Sequence, residues 1–157
     1  MTDEPEATGT YLVTHAEDDS AVLNDVDSGR VHPLAENPGV EERDVLEATL
    51  APEPPMEVTW RVVEVEARRS LSLERSEEPP TAQERAIASE QSVGDLTREE
   101  RAGVGELHVL TVDPDDTSAA VDDVLADEGT LVRAARLGVD RVEVRAADDV
   151  VSVRYLP

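Results

Sequence analysis

The chain is 157 residues long, 39% hydrophobic and free of cysteine, and it sets 37 acids against 14 basic residues for a formal charge of −23. That length suits one domain or two very small ones. The missing cysteines exclude disulfides, thiolate zinc sites and thiol catalysis, and no segment reaches the about 18 apolar residues of a membrane span.

Every basic residue is arginine, and the aromatic side chains are Tyr11, Trp60 and Tyr155 alone. Val, Leu and Ala must therefore fill any core. The opening "MTDEPEATG" lacks the basic and apolar regions of a signal peptide, so a cytoplasmic protein is expected. Residues 1–8 read as a disordered tail.

Residues 9–75 are strand-like. "TYLVTH" is rich in β-formers, and "SAVLNDVDSGRVHPL" reads as two strands around the turn Asp27-Ser28-Gly29. "DVLEATL" is a fourth strand and "EVTWRVVEVEA" a fifth. The fifth places Val58, Trp60 and Val62 on one face, then switches parity to Val63 and Val65, which predicts a bulge. "SLSLE" is a sixth, with Leu71 and Leu73 inward. Six short strands in so few residues predict a small antiparallel β-barrel.

Residues 76–104 read as a linker and short helical connector. Thr81 caps a helix running to Gln91, with Glu84 at the capping-box position, and Thr97 with Glu100 repeats the signal for a helical turn before Gly103.

Residues 105–157 form a C-terminal β-α-α-β-β unit. "ELHVLTV" is a central strand, "DPDDTSAAVDDVLAD" a helix with Val121, Val124 and Leu125 inward, and "GTLVRAARLG" a helix closed by Gly138. "DRVEVR" and "VVSVRYLP" are strands around Ala147-Asp148-Asp149. The fold class is thus α+β, with the helices on one face of the second sheet.

Few motifs carry chemistry. In "HVLTVDPDDT" an apolar strand leads into Asp113-x-Asp115-x-Thr117, which resembles the first motif of haloacid-dehalogenase-type phosphatases. That resemblance implies a magnesium-dependent phosphatase with Asp113 as nucleophile. The same residues also read as a helix start, with Asp113 as N-cap and Pro114 at N1. His15 and His32 could meet across the barrel, with Asp18 or Asp19 joining them, but the histidines lack ligand spacing. Asp25–Gly29 reads as a hairpin turn rather than a calcium loop, because its glycine is misplaced and the closing glutamate of such a loop is missing. No catalytic residue, metal ligand or cofactor is assigned, and a non-enzymatic binding or adaptor module is expected.

The candidate binding residues are arginines. "LVRAARLGVDRVEVR" holds four arginines against two acids, a net +2 in an acidic chain. Arg133 and Arg136 lie three apart, with no acid four residues away in the helix. Strand parity places Arg141, Arg145 and Arg154 opposite the valine face. These five form one candidate face, and Tyr11, Arg61, Arg68 and Arg69 form a second on the barrel. A protein partner or self-association is the leading expectation, with RNA the alternative, since arginine's fork suits carboxylate and phosphate alike.

Two resemblances add to this reading. "VVEVEARRSLSLE" (Val62–Glu74) resembles the closing strands of RNA-binding OB-type barrels in ribosomal proteins and exoribonucleases, which implies an OB-like barrel able to bind single strands. "YLVTHAEDDSAVLNDVDSG", "VLEATLAPEPPMEVTW" and the C-terminal "LVRAARLGVDRVEVRAADDVVSVRYLP" resemble a haloarchaeal family, a domain of unknown function. The lysine-free acid excess likewise resembles the cytosolic proteins of halophilic archaea. In molar salt the Debye length shrinks to about 3 Å and the self-repulsion is screened.

Overall fold

The computed structural model describes residues 6–56 and 58–157. Two compact units emerge: the first reaches Leu71 and takes in Leu131–Arg136, and the second comprises Ser72–Thr130 with Leu137–Pro157. The fold is α+β, as the patterning predicts.

In the first unit, β1 (Ala7–Ala16), β2 (Ala21–Asp25), β3 (Val31–Leu34), β4 (Asp44–Pro52) and β5 (Trp60–Ser70) close a barrel in the order β1-β2-β3-β5-β4. Its core is aliphatic and finely divided: Val13, Leu23, Leu34, Leu46 and Leu50 surround Tyr11 and Trp60. The β2–β3 turn is fixed by Asp25, whose Oδ1 accepts from the amides of Asp27 and Ser28, a hairpin as read from the sequence. The bulge expected at Val62–Val63 is present. Leu50 pairs with Val62 and Thr49 with Glu64, so Val63 is the extra residue.

Several boundaries differ from expectation. β1 begins at Ala7, two residues inside the expected tail, because Ala7 and Thr8 pair with Leu50 and Thr49 of β4. Residues 1–5 of that tail lie outside the described residues. The barrel is not wholly antiparallel: β3 runs parallel to β5, through the single pair Leu34–Trp60. Val58 precedes β5 and is exposed. The expected sixth barrel strand, β6 (Ser72–Arg75), belongs to the second unit. There Leu73 lies beside Val142 in parallel pairing and is buried, so its apolar side chain completes another core.

The second unit's sheet has the order β6-β9-β10-β8-β7, built with β7 (Leu96–Glu100), β8 (Glu106–Thr111), β9 (Arg141–Ala147) and β10 (Val150–Leu156). β7 corrects the expected helical turn. Thr97 pairs with Val109 of β8, and its hydroxyl donates to Gln91 Oε1 instead of capping a helix. The sheet therefore recruits β6 from the expected barrel and β7 from the expected connector. Helix α1 (Ala82–Ser89) begins in the capping box Thr81–Glu84, as predicted. Helix α2 (Thr117–Ala126) follows a 3-10 turn at Pro114–Asp116, and Val121 is fully buried. Helix α3 (Glu128–Leu137) runs up to Gly138, whose φ of +76° suits the left-handed position after a helix. At Gly105 a side chain is excluded, since a Cβ there would lie 2.0 Å from the Tyr155 carbonyl oxygen.

The helices do not share one sheet face. α1 packs on β8 and β10, where Ala88 meets Val109 and Val150. α2 packs on β6, β9 and β10. Val142, Val144, Val151 and Val153, of opposite parity to Ser152 and Arg154, are buried. The face expected to present open arginines is the one that α1 covers.

Candidate functional site

Arg145 and Arg154 lie in that covered layer and face each other through Glu143. Register sets this up, because Glu143 pairs with Arg154 and Arg145 with Ser152. Glu143 Oε1 accepts from Arg145 Nε and, at 3.3 Å, from Arg154 Nη1. Arg145 Nη2 also reaches Glu78 at 2.8 Å. Burial pushes the Glu143 carboxyl up, but the two guanidiniums outweigh it and hold it below the usual carboxylate range. Arg145 shifts the opposite way: burial works against its charge, and Glu143 more than restores it.

The chain of charges ends on Glu84, which is 2% exposed. Glu84 Oε1 accepts from the Thr81 amide and from Ser152 Oγ, both at 3.0 Å. The sequence marks Glu84 as a capping residue, and the structure makes it the buried end of a five-member charged network.

The other expected arginines are dispersed. Arg136 donates from Nε and Nη2 to the Val26 carbonyl, at 3.0 and 2.7 Å. Arg133 is half-buried on the same helix, and Arg141 is exposed at the start of β9. Arg145 and Arg154 share one layer of the second unit, while Arg133 and Arg136 belong to the first.

The barrel set makes contacts within the first unit. Tyr11 is fully buried, donates its hydroxyl to the Ala7 carbonyl at 2.9 Å and packs edge-on to His32. Arg68 Nη2 bonds the buried Asp44 carboxylate at 2.7 Å, Arg69 Nη2 donates to the Ala135 carbonyl and Arg61 Nη1 to the Pro52 carbonyl. Tyr11 thus leaves the candidate face altogether, and each of the three arginines already holds an acceptor.

His32 is 1% exposed between the Tyr11 and Trp60 rings, 4.5 Å from the Trp60 centroid. Burial and the nearby Arg30 lower its pKa against the pull of Asp25. His15 instead lies at the surface, beside Glu17 and Glu42. Among the described residues no group of three or more His, Asp or Glu is placed to hold a metal ion. Asp113 Oδ1 accepts from the Asp115 amide at 3.0 Å, capping the 3-10 turn that leads into α2.

What the sequence reading misses is the free edge of β5. Beyond Trp60 this strand pairs with β4 on one side and, among the described residues, with no strand on the other. Val63 and Val65 are 50% and 46% exposed, and Glu64, Glu66 and Ala67 are exposed beside them. The bulge at Val63 and a second at Glu66 rotate these side chains away from the core cluster. The alternating "VVEVEA" signals a strand with one buried face; Val62 does pack on the barrel core, but from Val63 to Ala67 the side chains are exposed.

No helix among the described residues is long and apolar enough to cross a membrane. Neither a curated protein nor a solved structure matches the chain significantly. A family model described as a family of unknown function, DUF5812, matches residues 7–146, nearly the whole chain, and the chain belongs to that family.

Proposed function

We propose that this chain is a non-enzymatic binding module that takes an extended, basic segment of another protein onto the free edge of β5. The observation that carries this reading is the edge itself, seven residues (61–67) of strand without a second neighbour and with two half-exposed valines. An open strand edge carries unpaired backbone groups that template pairing with another chain; the bulges at Val63 and Glu66 and the charges of Glu64 and Glu66 make this edge selective rather than generally adhesive. Strand addition satisfies the backbone and seats alternate side chains of the incoming segment.

Charge selects the partner. Glu64 and Glu66 lie on the exposed strand, and residues 1–71 carry 17 acids against five arginines, a net −12. A second copy would set acids against acids. Lysines or arginines opposite Glu64 and Glu66 would contribute about 0.2–1 kcal/mol per cross-strand pair.

The strand order with its parallel β3–β5 junction supports an OB-type barrel, a fold that often binds single-stranded nucleic acid. The engagement of Arg61, Arg68 and Arg69 favours a polypeptide over RNA. The lysine-free acid surplus supports a cytoplasmic protein of a halophilic archaeon.

Hydrogen exchange of the full chain tests the reading, at the lowest potassium chloride concentration that keeps it folded. The probes are an alternating Lys-Val peptide and a U-rich RNA oligonucleotide. Slowed exchange confined to residues 61–67 with the peptide is expected. Slowing there with RNA alone, slowing that depends only on protein concentration, or no slowing with either probe overturns the proposal.

A further inference from the structure

The second unit holds a cavity of about 300 Å³ beside α1, lined by Thr81, Gln83, Glu84, Glu99, Arg101 and Arg154 among others. We propose that it is a binding site for a compact zwitterion of the α-amino-acid class, with Glu84 receiving the ammonium and Arg154 the carboxylate.

Two charges at this cavity are only partly engaged by the protein. Glu84 Oε1 has its two donors, but among the described residues Oε2 has none within hydrogen-bond distance. The nearest cation to it is Arg154 Nε, at 3.9 Å. Arg154 in turn spends Nη1 on Glu143, and among the described residues its Nη2 has no acceptor. Glu84 Oε2 is open to the cavity rather than sealed in protein, and Arg154 has an unused edge of its fork, so both can meet a ligand there. Both groups line one cavity, and the gap between them is too long for a direct hydrogen bond.

A ligand that repairs both must carry an N–H donor and an anionic oxygen a few ångströms apart. An α-amino acid has them on adjacent carbons. The rest of the lining agrees with this choice. Glu84, Glu99 and Glu100 outnumber Arg101 and Arg154, which favours a cationic end and disfavours a simple anion such as phosphate. A polyvalent cation is disfavoured because two guanidiniums share the space. Leu107 gives an apolar wall for a short side chain. The volume lies at the small end of ligand pockets.

Titration calorimetry on the full chain tests this with glycine, L-alanine and L-serine as probes and with acetate and ethylamine as controls. At least one amino acid is expected to bind, and neither control. Glu84→Gln keeps the capping box, since glutamine serves at that position, and keeps an acceptor for Ser152. It should leave the circular dichroism spectrum unchanged while weakening the amino acid about tenfold or more, the equivalent of one charge-assisted hydrogen bond. Arg154→Lys should weaken it similarly, because lysine loses the fork. Absence of binding by all three amino acids, acetate binding as tightly as they do, or unchanged affinity in Glu84→Gln overturns the proposal. The strand edge of the barrel plays no part in any of these readouts.

Discussion

Replacing Glu143 with glutamine isolates the charge at the centre of the arginine network. The side chain keeps its shape and one acceptor oxygen but loses the charge that two guanidiniums share. Hydrogen bonds to charged groups are worth about 1.5–3 kcal/mol, and a neutral acceptor recovers roughly half of each. Breaking a fully buried pair costs about 3–5 kcal/mol, and an exposed one about 0–1. The side chains of Glu143, Arg145 and Arg154 are 16%, 13% and 22% exposed, much nearer the buried limit. Arg145 retains Glu78, which softens the loss. The balance is about 2–4 kcal/mol, or roughly 10 °C or more of melting temperature for a unit of this size. Calorimetric melting at pH 7 in molar potassium chloride reads it directly, and the effect should survive salt because the pair is shielded from solvent. The pH dependence has a definite sign. The folded carboxyl is depressed, so its contribution is complete above the unfolded value of 4.5 and is lost as pH falls through the folded one. The gap between wild type and variant should therefore hold near neutrality and close in acid. Exposed Arg141, replaced by glutamine, should shift stability by no more than about 0.5 kcal/mol. Equal melting temperatures for wild type and Glu143→Gln would refute the network as a source of stability.

Three further outcomes follow from the same structure. Asp113→Asn should melt like wild type and Asp113→Ala about 0.5–2 kcal/mol lower, because Asn and Asp cap about equally well; a magnesium-dependent phosphatase activity lost in Asp113→Asn would instead make that residue a nucleophile. His32 has a lowered folded pKa, so its stability contribution is full above 6.5 and falls as pH drops toward the folded value, with Tyr11, Asp25 and Arg30 as the neighbouring titratable groups. His32→Leu should flatten the stability profile between about pH 5 and 7, and an unchanged slope in that variant would assign the dependence to another group. Dilution from molar potassium chloride should lower the melting temperature by restoring carboxylate repulsion, whereas a flat salt series would contradict adaptation to salt.

Local rules were legible in the sequence and long-range partners were not. The Thr81–Glu84 box, the Asp25–Gly29 hairpin, the Val63 bulge and the glycine after α3 are each decided by a few neighbouring residues, and each is found. The sequence does not fix the sheet of β6, because "SLSLE" alternates equally well in either; only the parallel pairing of Leu73 with Val142, 69 positions away, decides it. β7 was missed because Thr97 and Glu100 mimic a cap while Gln91 takes the hydroxyl. The surroundings of the candidate arginines were illegible for the same reason. Parity correctly put Arg145 and Arg154 on one side of the sheet, but nothing local says that α1 lies over that side and brings Glu84 with it.

Two of the four arginines of the locally basic stretch, and Arg154 beyond it, end on acceptors within the fold. Arg136 serves the Val26 carbonyl, Arg145 serves Glu143 and Glu78, and Arg154 further along serves Glu143 and approaches Glu84. A chain with so few cations places several of them where one fork can hold two or three acceptors, which lysine does poorly. The cost is that cations are removed from the surface while acids such as Glu64 and Glu66 stay exposed. On the proposed function, an acidic surface with an open strand edge would repel copies of itself and attract basic chains. The same economy that stabilises the second unit's interior would then set the kind of partner proposed for the barrel.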